Sequence, residues 1–200
     1  MALSSAALHD GRLARGERAR AAIVDALLAL IESGELRPSA ARIAQRAGVS
    51  LRSVFQHFSD VESLFAAAAS RQTERLAPLA GAVPDEGPFE RRLDAFVRKR
   101  ARLLDAISPV RRAAILVEPF SSELQGRLGA FRMLKAEEVR RVFAAELAQR
   151  APAARRRLLA ALVAASSWSN WQALREHQGL SQAEARRVLR LTLATLLRHD

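Results

Sequence analysis

Between Ser39 and Phe58 the chain reads SAARIAQRAGVSLRSVFQHF, a stretch dense in groups that donate and accept hydrogen bonds at helical spacing. Arg52 has the chemistry for a bidentate pair with O6 and N7 of guanine, a contact worth about 1–3 kcal/mol of discrimination between bases. The other reading of Arg52 is a solvated surface arginine. Ser53 can contact a base or a phosphate, or complete a local helix cap with Ser50. Leu51 can touch a thymine methyl or be an exposed leucine without a role. Gln56 and His57 stand at the far end of the same short segment, where phosphate contact is the expected chemistry; His57 also fits a purely structural hydrogen bond. Ser39, at a helix start, can present its hydroxyl and free backbone N–H groups to a phosphate. Arg42, on the next turn, can reach a groove edge.

Such groups act together only if two short helices hold them. Ser39 can cap a helix carrying Ile43, Ala44 and Ala47 that ends at Gly48, and Ser50 can cap a second one through Phe55. The turn Ala47-Gly48-Val49-Ser50 between them suits a glycine at positive φ. Ile43, Ala44, Val49 and Val54 are spaced to bury a seam, leaving Leu51, Arg52, Ser53, Gln56 and His57 outward. This is the pattern of a helix-turn-helix, whose second helix fits the major groove of B-DNA. Spacing alone leaves an ordinary αα-hairpin equally open.

Apolar residues recur at three and four throughout, β-branched runs are missing, and Ala, Leu and Arg dominate, so the fold class is all-α. A helix of about 15–33 precedes the motif, presenting Ile23, Leu27, Leu30 and Ile31 on one face and stopping at Gly34. Ser59-Asp60-Val61-Glu62 has capping-box spacing and opens a helix to about Leu76. Breakers crowd Pro78 to Pro88, which marks a junction. Beyond it the pattern predicts a helix over 89–107, a restart at Pro109 that runs to Glu118, and a long amphipathic helix over 121–150. A further helix runs from Pro152 to about His177, and the last, opened by the box Ser181-x-x-Glu184, ends at Arg198. Arg12, Arg15, Arg18 and Arg20 form a basic arm leading into the first helix, a type of segment that can enter a minor groove or stay a free tail.

The composition excludes more than it identifies. The 200 residues hold no Cys, which removes disulfides, thiol nucleophiles and cysteine-based zinc sites. The four histidines, His9, His57, His177 and His199, are far apart and none has a partner four residues away, so no metal site is expected. No G-x-S-x-G, phosphate-binding glycine loop or paired carboxylate is present, so neither catalytic residues nor a cofactor are expected. The longest uncharged apolar stretch, Leu158 to Trp171, is too short to span a bilayer, and no signal peptide is evident; a cytoplasmic protein without a membrane partner is expected. The net charge of +11 is a weak witness for nucleic acid, because residues 78–200 carry +9 of it and residues 1–77 only +2.

Residues 17–76 resemble the N-terminal domain of a TetR-type (tetracycline-repressor family) transcriptional regulator. The resemblance rests on Ile43-Ala44, Ala47-Gly48-Val49-Ser50, Val54-Phe55, Phe58 and Glu62-x-Leu64. It implies a three-helix helix-turn-helix DNA-binding domain over 15–60, after a flexible basic arm over 1–14. It further implies a connecting helix and linker over 61–87 and a larger helical ligand-binding and dimerisation domain over 88–200. The implied function is a homodimeric repressor that a small-molecule effector releases from a palindromic operator in double-stranded DNA. An activator of the same fold, or a helical DNA-binding or interaction protein without a ligand, stays open. The family usually carries Tyr at the position of Phe55 and Lys at that of Val61, so two phosphate contacts are missing and weaker anchoring is implied. An effector pocket would draw on Phe96, Leu103, Phe120, Phe131, Met133, Ser167, Trp168, Asn170 and Trp171, of which each Phe or Leu also reads as ordinary core and each Trp equally as dimer interface. The last two helices resemble the family's dimer interface, with Leu162, Leu189, Leu193 and Leu196 as candidates.

Overall fold

The computed structural model of the chain describes the backbone over residues 3–198 and side chains over 14–198. Among the described residues there are ten α-helices and no strand. They are α1 (Leu3–Glu32), α2 (Ala40–Ala47), α3 (Leu51–His57), α4 (Val61–Leu76), α5 (Phe89–Ile115), α6 (Ser122–Val142), α7 (Ala144–Ala148), α8 (Pro152–Ala165), α9 (Trp168–Gln172) and α10 (Gln182–Arg198). Single 3₁₀ turns lie at Ala77–Ala80 and Glu118–Phe120, and a π turn follows α9 at Ala173–His177. The chain forms two compact units. The first takes the residues up to Arg75 together with Pro109–Arg127; the second takes Leu76–Ser108 and the chain from Leu128 onward.

In the first unit α1 buries Ile23, Val24, Leu27, Leu28, Leu30 and Ile31, a wider stripe than one face of an amphipathic helix needs, and it packs against both α2 and α3. Gly34, at φ 100°, ends it, and the Glu35 N–H returns to the Leu30 carbonyl at 3.0 Å. α4 is tied to α1 by ion pairs of Arg71 and Arg75 with Asp25, at 3.3 and 2.9 Å. Its cap differs from the expected box. Asp60, not Ser59, accepts the Ser63 N–H, at 2.6 Å, while the Ser59 hydroxyl donates to the Asp60 carboxylate. A carboxylate is the stronger acceptor at the positive end of the helix dipole, and these bonds hold Asp60 below the usual carboxylate range.

The second unit has one apolar core drawn from α5 (Leu93, Phe96, Leu104), α6 (Val139, Val142), Leu162 of α8, Trp171 of α9 and Leu189 and Leu193 of α10. Three expected boundaries move. Pro109 does not restart a helix; α5 continues through it. The ring leaves the Asp105 carbonyl without its helical donor, a loss of about 3 kcal/mol in an isolated helix that packing must offset here. The long helix over 121–150 breaks at Phe143, where the buried Arg92 guanidinium takes the freed Val142 carbonyl and pairs with Glu146. The helix from Pro152 breaks at Ser166-Ser167: the Ser166 hydroxyl donates to the Leu162 carbonyl at 2.7 Å, and Ser167 caps α9 by accepting the Asn170 N–H. The second box stands as read, with the Glu184 N–H on the Ser181 hydroxyl and the Ser181 N–H on the Glu184 carboxylate.

Candidate nucleic-acid interface

The unit Ser39–Phe58 is built by its caps. Ser39 accepts the Arg42 N–H at 3.2 Å and opens α2. Gly48, in the left-handed region at φ 68°, closes it, and the Val49 N–H returns to the Ala44 carbonyl at 3.1 Å. Ser50 then accepts the Ser53 N–H at 3.1 Å and opens α3. Each bond satisfies a backbone group that a short helix leaves unpaired at its end, which matters most where there are so few turns. Ile43, Ala44, Val54 and Phe58 are buried and hold the pair to α1.

What remains outside is a surface on α3. Leu51 and Phe55 are exposed, at 45% and 54%, and Arg52 and Gln56 are exposed beside them. Two apolar and two polar side chains thus alternate as i,i+4 pairs on the solvent side of one helix. Arg52 has no carboxylate at ion-pair distance among the described residues, so its fork of donors is available to an outside acceptor. Ser53 and His57 are half-buried. Arg42 is exposed but engaged: its Nε meets Glu35 Oε2 at 3.3 Å and its Nη1 meets Gln45 Oε1 at 3.1 Å. That network holds Arg42 along α2 and spreads its charge.

One feature here escaped the sequence pattern. The Arg20 guanidinium lies over the Phe58 ring, 4.9 Å from its centroid, which brings a cation of α1 to the α3–α4 turn. Arg15, Arg18 and Arg20 are all part of α1, whose backbone is helical from Leu3, so most of the stretch expected as a flexible arm over 1–14 has helical backbone; the side chain of Arg12 lies outside the described residues. Phe55, which the resemblance already set on the DNA-facing side, makes with Leu51 an apolar pair on the outward face.

The remaining candidates are scattered. Phe96 and Trp171 are fully buried in the second unit's core, Phe96 edge-on to Phe143 with 5.2 Å between centroids. The Trp171 indole donates to Asp105 at 2.7 Å, and that of Trp168 to the Ser108 hydroxyl at 3.0 Å. Ser167 and Asn170 serve the start of α9, with Asn170 Nδ2 on the Ala165 carbonyl. Leu103 and Phe131 are half-buried, whereas Phe120 and Met133 are exposed, at 77% and 75%. Leu162, Leu189 and Leu193, read as interface residues, are buried instead in the second unit's own core; Leu196 is half-buried at its edge. The outward apolar residue of α10 is Leu191. No group of metal-binding side chains occurs among the described residues, and no described helix is long and apolar enough to cross a membrane.

Neither a protein-family model nor a curated protein matches the sequence. Solved structures do. A transcriptional regulator from Rhodococcus sp. RHA1 superposes with a TM-score of 0.68 at 22% identity, over 92% of this chain and 96% of its own. NalD of Pseudomonas aeruginosa, the secondary repressor of the MexAB-OprM multidrug efflux pump, gives 0.54 at 23% identity, over 92% and 96%. A Mesorhizobium loti protein assigned to the TetR family of transcriptional regulators gives 0.53 at 21% identity, with the same coverage. At such identities the likeness is one of backbone architecture, and it spans nearly the whole of both chains. The chain therefore has the all-helical fold of the TetR-family regulators.

Proposed function

We propose that this protein is a homodimeric, DNA-binding transcriptional repressor that leaves a palindromic operator when a small-molecule effector binds. The observation that carries the reading is the outward face of α3, where Leu51, Arg52, Phe55 and Gln56 are exposed on a helix of two turns whose start and whose lead-in turn are both capped. A surface with exposed Leu and Phe beside an unpaired Arg is costly in water, and its chemistry matches thymine methyls and a guanine edge. Two copies related by a two-fold axis would place their recognition helices about 34–36 Å apart, one turn of B-DNA, and would double the modest charge of each. Repression follows the example of NalD, the secondary repressor of an efflux pump, and release by an effector is a separate step of this reading.

The test is selection of bound fragments from genomic DNA by the full chain, followed by titration of the selected duplex in rising salt. Specific retention of a palindromic sequence is expected, with affinity falling as salt rises. Absence of binding to any duplex at low salt would end this reading.

A further inference from the structure

Within the first unit, α1, the end of α3 with the turn after it, α4 and the first two turns of α6 line an open cleft of about 600 Å³. That is the size range of small-ligand sites. Its walls are polar and unevenly satisfied. Arg71 is occupied by Asp25 and Glu74, and Arg127 by Glu123 and the Ser70 hydroxyl. Two charges of opposite sign are left over. Glu17 and Arg20, three residues apart on α1 and both exposed, have no ion-pair partner among the described residues and do not pair with each other. Arg20 is instead held over the Phe58 ring.

The serines add a directional bias. Ser59 donates its proton to the Asp60 carboxylate and Ser63 to the Asp60 carbonyl, whereas Ser70 donates to the Ala66 carbonyl and already accepts from Arg127. The Ser59 and Ser63 oxygens can then only accept from a guest. Near Glu17 and the serines the cleft therefore asks for donors, and at Arg20 it asks for an anion. We propose that this cleft binds a zwitterionic ligand of short-peptide chemistry, its carboxylate on Arg20 and its ammonium on Glu17, with amide N–H groups serving the serine oxygens. Ala21, Val24 and Ala67 supply an apolar wall suited to small side chains. Because His57 ends α3 and lines the same cleft, occupancy bears on how firmly the recognition helix is held; only that consequence rests on the proposed function.

The experiment is calorimetric titration of the full chain with trialanine, N-acetyl-trialanine, trialanine amide and inorganic phosphate. Saturable binding of trialanine is expected, with each blocked peptide at least about tenfold weaker, since each forfeits one charged contact. Glu17→Gln should remove the preference over the acetylated peptide, and Arg20→Gln the preference over the amide. Glu17 is exposed and makes no described contact, so its variant folds even if the Arg20 variant does not. No saturation by about 10 mM, equal binding of the blocked peptides, an unaltered preference in Glu17→Gln, or binding of phosphate in place of trialanine would each overturn the assignment. Adding trialanine to a fluorescent duplex titration is a separate readout: peptide binding by a chain that binds no DNA would sustain the cleft and defeat the repressor.

Discussion

The indole N–H of Trp171 donates to Asp105 Oδ1 at 2.7 Å, and the same oxygen takes the Arg175 Nε at 3.3 Å. One carboxylate on α5 thus satisfies a fully buried ring of α9 and a cation of the π turn that follows it. The Arg175 Nη1 also reaches the Leu180 carbonyl, so the irregular backbone there is fastened at both ends. Asp105→Leu should strand the indole N–H and lower unfolding free energy by about 1–3 kcal/mol in urea titrations. Asp105→Asn keeps an acceptor and should recover part of that loss; equal losses for both would mean that charge, not the hydrogen bond, stabilises the joint.

The turn before α3 offers a cleaner backbone test. Gly48→Ala meets no neighbouring atom, so its whole effect is the cost of a β-carbon at φ 68°, expected at about 1–2 kcal/mol. Ser50→Ala removes the acceptor for the Ser53 N–H and should cost about 1 kcal/mol. Denaturant midpoints measure both. A stable Gly48→Ala protein would show that the turn tolerates another geometry.

For Arg52→Ala the fold should be indifferent, because the side chain is exposed and unpaired among the described residues. Competition among single-base variants of the selected duplex should show preference relaxed at one position per half-site, by about 1–3 kcal/mol. Uniform loss on every sequence would make Arg52 a phosphate contact instead.

Acid should loosen the start of α4. Asp60 is held below the usual carboxylate range by the Ser63 N–H and the Ser59 hydroxyl. A carboxyl with a depressed folded-state value stabilises the protein above its unfolded value, about 4, and that contribution is lost as pH falls through the folded value. Asp60→Ala should therefore flatten part of the decline in stability below about pH 4. An acid limb unchanged by the substitution would assign the decline to other carboxylates such as Glu184 and Asp85, also depressed.

Dimerisation is best probed away from the core. Leu191 is 65% exposed on α10, whereas Leu189 and Leu193 on either side are buried. Leu191→Glu should keep the melting temperature of the isolated chain and shift sedimentation towards monomer if α10 forms the two-fold contact. A dimer unaffected by this charge would place the interface elsewhere. Removing α10 outright is a poorer test, because it would strip the second unit of its core.

Much of this protein was legible in the order of its residues. The α2–α3 unit, both serine caps, the glycine turn and the box at Ser181 depend on contacts within four residues or so, and local chemistry of that kind is written directly in the sequence. Helical class follows for the same reason: period and propensity are local. Breaks in long helices were not legible. Whether a chain continues through Pro109 or stops at Phe143 depends on who takes the freed carbonyl, and at Val142 that partner is Arg92, fifty residues earlier. Nor could the sequence separate core leucines from outward ones on α10, since Leu189, Leu191 and Leu193 are alike in type and differ only in what packs on them. Arg20 over Phe58, the Asp105–Trp171 bond and the cleft of α1 and α4 are likewise meetings of distant residues. Only the tertiary structure decides them, because burial and pairing are properties of the folded surface and not of the residue.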